Sequence, residues 1–358
     1  MVIASDIIGE EKCVMLTRRK ALAGAAALGG LAISGGARGQ QSFTASQALI
    51  DAAKKEGKMV LYTSNFVEVM QKTIAAFNQH FPFVRVELVR APGGQLFTRI
   101  RTESAAGKLT ADAILHSDRG LMLEINDIFA DYTPPNANAY RADTLVSPKL
   151  WPCISPCWVI AWHTELVKSP PKTWMDLTKP DYGNGMIGQV VGPSGGITWT
   201  RVMFERMVLG EDYWARQAAT KPRLYPSGAP LADALVRGEV SIAPVQFNVV
   251  LDKQRDGAPI GSIFPSEGVP MTPYGCGIPK TAANPNAAKL FMDWCLSEEG
   301  QIHFVREQGN VSAMKTAPAL LPGFDAAKHK LWMPEFKQFQ ELYRPWLDDW
   351  NKAYGYRQ

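Results

Sequence analysis

No stretch of this 358-residue chain reaches the ~20 consecutive apolar residues that a membrane-spanning helix needs. No basic block interleaves with aromatics, and a net charge of +4 is mild, so nucleic acid is not an expected partner. The five histidines show no His-Glu-x-x-His or similar ligand spacing, which argues against a metalloenzyme. There is no internal repeat, and no low-complexity segment outside the N-terminal region. Cysteine is sparse. Beyond the N-terminal segment stand Cys153, Cys157, Cys276 and Cys295, which an oxidising compartment permits to pair in any of three ways. Cys295 occupies a core position of a predicted helix and reads as a buried free thiol. Cys153-x-x-x-Cys157 has no second Cys/His pair beside it, so zinc is not expected; no metal and no cofactor is implied.

What is present describes an exported globular protein. Apolar residues at 46% and charged residues at 20% are ordinary for a soluble chain, and the length suits two lobes. Arg18-Arg19 precede a weakly apolar run from Ala23 to Ser34, and Ala37-Arg38-Gly39 supplies the small residues of a cleavage site. Residues 1–39 therefore read as an export signal of the twin-arginine type. Asp6, Glu10 and Glu11 do not suit a signal's first region, so translation is expected to start at Met15.

From Ser46 the chain alternates helices and strands. Ser46 to Lys55 is a helix ended by Gly57. Met59–Thr63 is a strand, Met70, Ile74, Phe77 and Phe81 recur at helical spacing, and Val84, Val86 and Leu88 alternate as a strand. A helix after Gly93-Gly94 and a strand Asp112–His116 follow. The alternation predicts an α/β fold with a largely parallel sheet, in which ligands sit beyond the carboxyl ends of strands. Three short polar loops stand at such ends: Ser64-Asn65, Gly93-Gly94 and Ser117-Asp118. Later come strands at Trp158–Trp162, Val240–Val245, Ile260–Phe264 and Tyr274–Ile278, and a helix opened by Asn284 and Pro285. An aromatic stripe, Phe336, Phe339, Tyr343, Trp346 and Trp350, reads as core packing, with Pro345 kinking or splitting its helix.

The most informative stretch is Ile187–Arg201, a strand, a Gly192-Pro193-Ser194-Gly195-Gly196 turn, and a helix start. A helix N-terminus presents unpaired N–H groups and partial positive charge, so a phosphate, phosphonate or carboxylate fits there. Ser194 and Thr198 add hydroxyls. Pro226-Ser227-Gly228 opens a second such helix. Each stretch also fits an ordinary capped turn. The first is not a Walker loop, because no Gly-Lys-Ser/Thr follows. Gly192-x-Ser194-x-Gly196 does match the nucleophile elbow of α/β-hydrolases, which leaves a serine hydrolase with Ser194 as nucleophile as a remote alternative.

Several stretches in this order resemble the periplasmic solute-binding proteins of ABC importers, in the branch related to ferric-iron-binding proteins. They include Met59-Val-Leu-Tyr-Thr-Ser64, Ala111-Asp-Ala-Ile-Leu-His-Ser-Asp118, Trp158-Val-Ile-Ala-Trp-His-Thr-Glu165, Pro171-Lys-Thr-Trp-Met-Asp-Leu177, Pro226-Ser-Gly-Ala229 and Asn284-Pro-Asn-Ala-Ala-Lys-Leu-Phe291. The resemblance implies two α/β lobes joined by hinge strands, with ligand in the cleft and an inner-membrane ABC permease as partner. It places residues 40–160 and 276–358 in one lobe and 161–275 in the other, and the protein in the periplasm as a monomer without enzymatic activity. Ferric binders carry adjacent tyrosines where this chain has Gln246-Phe247-Asn248, and a hard ferric ion needs phenolate oxygens. Other members take phosphonates, sugar phosphates, polyamines or thiamine. Iron and polyamine or thiamine stay as alternatives to the expected small organic anion, a phosphonate, phosphate ester or carboxylate. The candidate ligand-binding residues are Ser64, Asn65, Gly94, Ser117, Ser194, Gly195, Thr198, Ser227, Asn248 and Tyr274.

Overall fold

The computed structural model describes residues 43–357 apart from 318 and 320, with 336 and 337 described by backbone alone. The expected export signal, with Arg18-Arg19 and the start at Met15, lies outside the described residues. Among those described, no helix is long and apolar enough to cross a membrane.

Helix α1 (Gln47–Glu56) starts where the Ser46 hydroxyl accepts the Leu49 N–H and stops at Gly57, which takes a left-handed φ of 68°. Then come β1 (Lys58–Thr63), α2 (Val67–His80), β2 (Arg85–Arg90), α3 (Gly93–Ala105), β3 (Ala113–His116) and the short α4 (Arg119–Glu124). β4 (Trp151–Ile154) leads almost directly into β5 (Trp158–His163). The middle of the chain supplies β6 (Gly188–Val190), α5 (Gly196–Leu209), α6 (Tyr213–Ala219), β7 (Arg223–Tyr225) and α7 (Gly228–Val236). It continues with β8 (Ile242–Gln246), α8 (Phe247–Arg255), β9 (Ile260–Ile263), β10 (Val269–Pro270) and β11 (Tyr274–Gly277). The chain closes with α9 (Pro285–Cys295), α10 (Glu298–Arg306), β12 (Leu331–Trp332), α11 (Phe336–Glu341) and α12 (Tyr343–Tyr354).

Two sheets organise these elements. The first has the order β2-β1-β3-β11-β4; β1 runs parallel to β2 and β3, while β11 is antiparallel to β3 and β4. The second, β8-β5-β9, is antiparallel throughout, with β6-β7 as a parallel pair joined to it by the Ile187–Ile242 bridge. The expectation of a largely parallel sheet therefore holds for β2-β1-β3 and for the β6-β7 and β10-β12 pairs, but not for β11 or for β8-β5-β9. Helix-strand alternation constrains consecutive strands, whereas β8, β9 and β11 return over long connections that local periodicity does not register.

Apolar faces fill the space around these sheets. Phe77 of α2 meets Phe291 and Trp294 of α9 with ring centroids 5.2 and 5.9 Å apart. Asn284 does not cap α9. Its amide donates to Asp112, and the Glu56 carboxylate caps the helix across the chain by accepting the N–H groups of Asn286 and Ala287. The carboxylate thereby meets the positive end of the helix. Pro345 sits in the first turn of α12, where its missing N–H is harmless, and the helix breaks from α11 at Leu342. The aromatic stripe packs as core: Phe339 and Trp350 are buried with Trp199, Trp214 and Val191. The described cysteines, Cys153, Cys157, Cys276 and Cys295, are buried and unbridged.

Candidate functional site

Strand carboxyl ends of both sheets face one cavity of about 380 Å³. From the first sheet come Ser64 and Asn65 after β1, Arg90 at the end of β2, and Ser117 after β3. From the second come Ser194 and Gly195 after β6, Ser227 and Gly228 after β7, Gln246 at the end of β8, and Asn248 in the first turn of α8. Backbone groups and following helix N-termini are exposed at these ends, which is why such crevices bind ligands.

On the first side, hydrogen bonds hold the loops in place. The Ser64 hydroxyl accepts the Ser117 N–H at 3.1 Å. His116 is buried. Its Nδ1 accepts the Asp118 N–H at 2.9 Å, and its Nε2 donates to the Gly93 carbonyl at 2.9 Å. Burial lowers its pKa, and the single-donor pattern is that of the neutral ring, a crosspiece between β3 and the start of α3. Asn65 is buried, its Oδ1 accepting the Phe66 N–H and its backbone carbonyl accepting the Arg90 Nε–H at 3.4 Å. Tyr274 is buried at the cavity wall. Burial pushes its phenol up, with a Ser117 hydrogen bond and the Arg90 charge pulling the other way.

On the second side, Gly195 at φ 134° precedes α5, and Ser227 precedes α7 without a side-chain cap bond. Both helices leave first-turn N–H groups without helical partners. The Ser194 hydroxyl donates to the Pro226 carbonyl at 2.8 Å, tying the two turns together, rather than to a histidine as a hydrolase nucleophile would. Thr198 is buried at the cavity.

Nine of the ten sequence candidates line the cavity: Ser64, Asn65, Ser117, Ser194, Gly195, Thr198, Ser227, Asn248 and Tyr274. Gly94 does not; α3 begins at Gly93, and it is Gly93 that reaches the wall beside His116 and Ser117. Sequence reasoning missed Arg90 and Gln246. Each is the last residue of its strand, and the carboxyl-end rule applied to β2 and β8 finds both. Among the described lining residues, Arg90 is the one charged side chain. The described residues contain no His/Cys/Asp/Glu group placed to hold a metal ion.

Residues 63–302 match the model of the bacterial extracellular solute-binding protein family. An uncharacterized protein of Haemophilus influenzae is 30% identical over 181 residues, 48% of this chain and 51% of its own, so the chain spans about half of that relative. A probable ABC transporter periplasmic-binding protein of Sinorhizobium fredii is 25% identical over 281 residues, 74% of this chain and 77% of the other. The spermidine/putrescine-binding periplasmic protein 1 of H. influenzae is 23% identical over 220 residues, 54% and 59% of the two chains. Among solved structures, the periplasmic binding protein AfuA from Actinobacillus pleuropneumoniae, with fructose-6-phosphate bound, superposes with a TM-score of 0.69 at 22% identity, over 84% of this chain and 100% of that one. Iron-bound HitA from Pseudomonas aeruginosa superposes at 0.65 and 19%, over 81% and 99%. At these identities the structural likeness speaks for the two-lobed fold.

Proposed function

This chain belongs to the bacterial extracellular solute-binding protein family, and we propose that it delivers a small organic anion to an ABC importer. Family members bind small ligands and work with ABC permeases. The cargo class rests on one observation: among the described residues, the cavity wall holds the Arg90 guanidinium and no carboxylate. Two helix N-termini, those of α5 and α7, add dipoles of the same sign. A phosphonate, phosphate ester or carboxylate complements that wall.

The alternatives ask for other groups. A polyamine needs carboxylates to meet its ammonium charges. Ferric iron needs phenolates; Tyr274 is the single described tyrosine at the wall, and burial pushes its phenol away from ionisation. A hydrolase needs a base on Ser194, whose proton goes instead to Pro226.

The same reading has the chain exported through residues 1–39 by the twin-arginine route and working in the periplasm as a monomer. It keeps residues 40–160 and 276–358 in one lobe and 161–275 in the other, a division that the packing of Trp346 and Trp350 of α12 with Trp214 of α6 cuts across. Arg90→Gln tests the cargo class. A hydrogen bond to a charged group contributes ~1.5–3 kcal/mol, so calorimetry should show organic-anion affinity falling roughly tenfold to a hundredfold. Unchanged affinity would move the anion elsewhere.

A further inference from the structure

Helices α2 and α8 both start at the cavity, one from each sheet. α2 follows Ser64, Asn65 and Phe66 beyond the end of β1, and α8 follows Gln246 at the end of β8. The sixth residue of each helix meets the other, the Lys72 ammonium donating to the Asp252 carboxylate at 2.7 Å. At 1.5 Å of rise per residue, both lie roughly 8 Å along their helices from the cavity. Arg255, about a turn further on, donates through Nη2 to the Arg306 carbonyl at 2.8 Å and through Nη1 to the Glu307 carbonyl, with the Glu307 carboxylate at 3.6 Å. Those carbonyls end α10, where a cation meets the negative end of the helix. The α10 end belongs with the first sheet's helices: Phe304 packs on Trp294 of α9, and the Gln308 amide donates to Thr73 of α2 at 2.7 Å. Gly309, at φ 64°, admits α8 to this surface. A β-carbon there would lie 3.0 Å from Leu251 and 3.3 Å from the Asn248 Cα.

We infer that Lys72, Asp252 and Arg255 form a charged clasp that holds the two sides of the cavity at their closed spacing and biases the protein toward that form before any ligand arrives. β4 passes into β5 through residues 155–157, a short joint between the sheets. Movement of the sheets about that joint draws α2 away from α8 and breaks the clasp. The Lys72 and Asp252 side chains are 52% and 25% exposed, so their attraction is modest and screened by salt. A pair of this kind shifts an equilibrium up to about fivefold, which tunes closure without locking it. The clasp acts whatever the charge of the cargo.

Small-angle X-ray scattering of the ligand-free full-length protein, extrapolated to zero concentration, tests this. The salt is varied from about 0.01 M to about 1 M, over which the screening length falls from ~30 to ~3 Å. The unmodified protein should be more compact at low salt, its radius of gyration rising as salt is added. Asp252→Lys should give the larger radius throughout, and Lys72→Asp/Asp252→Lys should restore the compact, salt-sensitive form. Lys72→Met, which removes one charge from an exposed position, should expand at low salt and carries the comparison should Asp252→Lys fail to fold. A radius that ignores salt in the unmodified protein and equals that of Lys72→Met overturns the inference. So does a charge swap that melts like the parent yet stays expanded. Neither result touches the cargo reading, which rests on Arg90.

Discussion

Gly196, the first residue of α5, carries a steric demand that no other residue type meets. A β-carbon there would lie 2.6 Å from the Ser117 carbonyl oxygen and 2.8 Å from the Asp118 Cα. The helix that opens the second side of the cavity thus touches the loop that ends β3 on the first. In Gly196→Ala the two must separate. Alanine also raises helix propensity by roughly 1 kcal/mol over glycine, so stability should be largely kept while closure around a ligand suffers. The expected outcome is affinity reduced at least tenfold in calorimetry, with the melting temperature within a few degrees of the parent. Parent-like affinity would show that this contact is dispensable. At this scale the sequence was informative wherever a polar residue follows a strand, as at Ser64, Ser117 and Ser227. It was silent at Arg90 and Gln246, because a strand's last side chain looks like part of its alternation. Gly93 and Gly94 were indistinguishable without knowing where α3 begins.

Helix α5 starts where the sequence places it, at the Gly195-Gly196 turn, although its first turn holds Ile197, Thr198 and Thr200, β-branched residues that suit a strand. Tertiary contacts hold that turn: the Trp158 indole donates to the Ile197 carbonyl at 3.0 Å, and the Thr200 and Thr272 hydroxyls meet at 2.8 Å. Deeper in the helix, Arg201 and Glu205 form an ion pair one turn apart, their side chains 0% and 1% exposed. Arg201 also donates to the Val190 carbonyl at 3.1 Å and lies 5.1 Å from the Trp158 ring centroid. Burial pushes the Glu205 carboxyl up to about 7, against the pull of Arg201. Breaking such a pair strands a buried charge and costs about 3–5 kcal/mol, whereas replacing both partners with apolar residues is often neutral. Arg201→Met should therefore be severely destabilised in urea unfolding, and Arg201→Met/Glu205→Leu should recover most of the loss. A double variant no more stable than the single one would contradict this account of the pair.

Across the whole molecule, carboxyl ends of strands from two sheets converge on one cavity, although residues 64 and 274 at its wall lie far apart in the chain. The α/β class, the order of elements and most of the polar wall were legible, because each depends on local periodicity and turn chemistry. The antiparallel second sheet and the seat of α12 against α6 were not, since both depend on pairings between distant segments. Ligand-dependent thermal unfolding tests the anion reading most directly, because a bound ligand stabilises the folded state by about 2.7 kcal/mol at a hundredfold excess over Kd. Organic phosphates, phosphonates and carboxylates would be compared with spermidine and ferric citrate under one buffer. The melting temperature should rise with concentration for at least one organic anion and stay flat for spermidine and ferric citrate. A dose-dependent rise with spermidine or ferric citrate, and none with any anion, would contradict the reading.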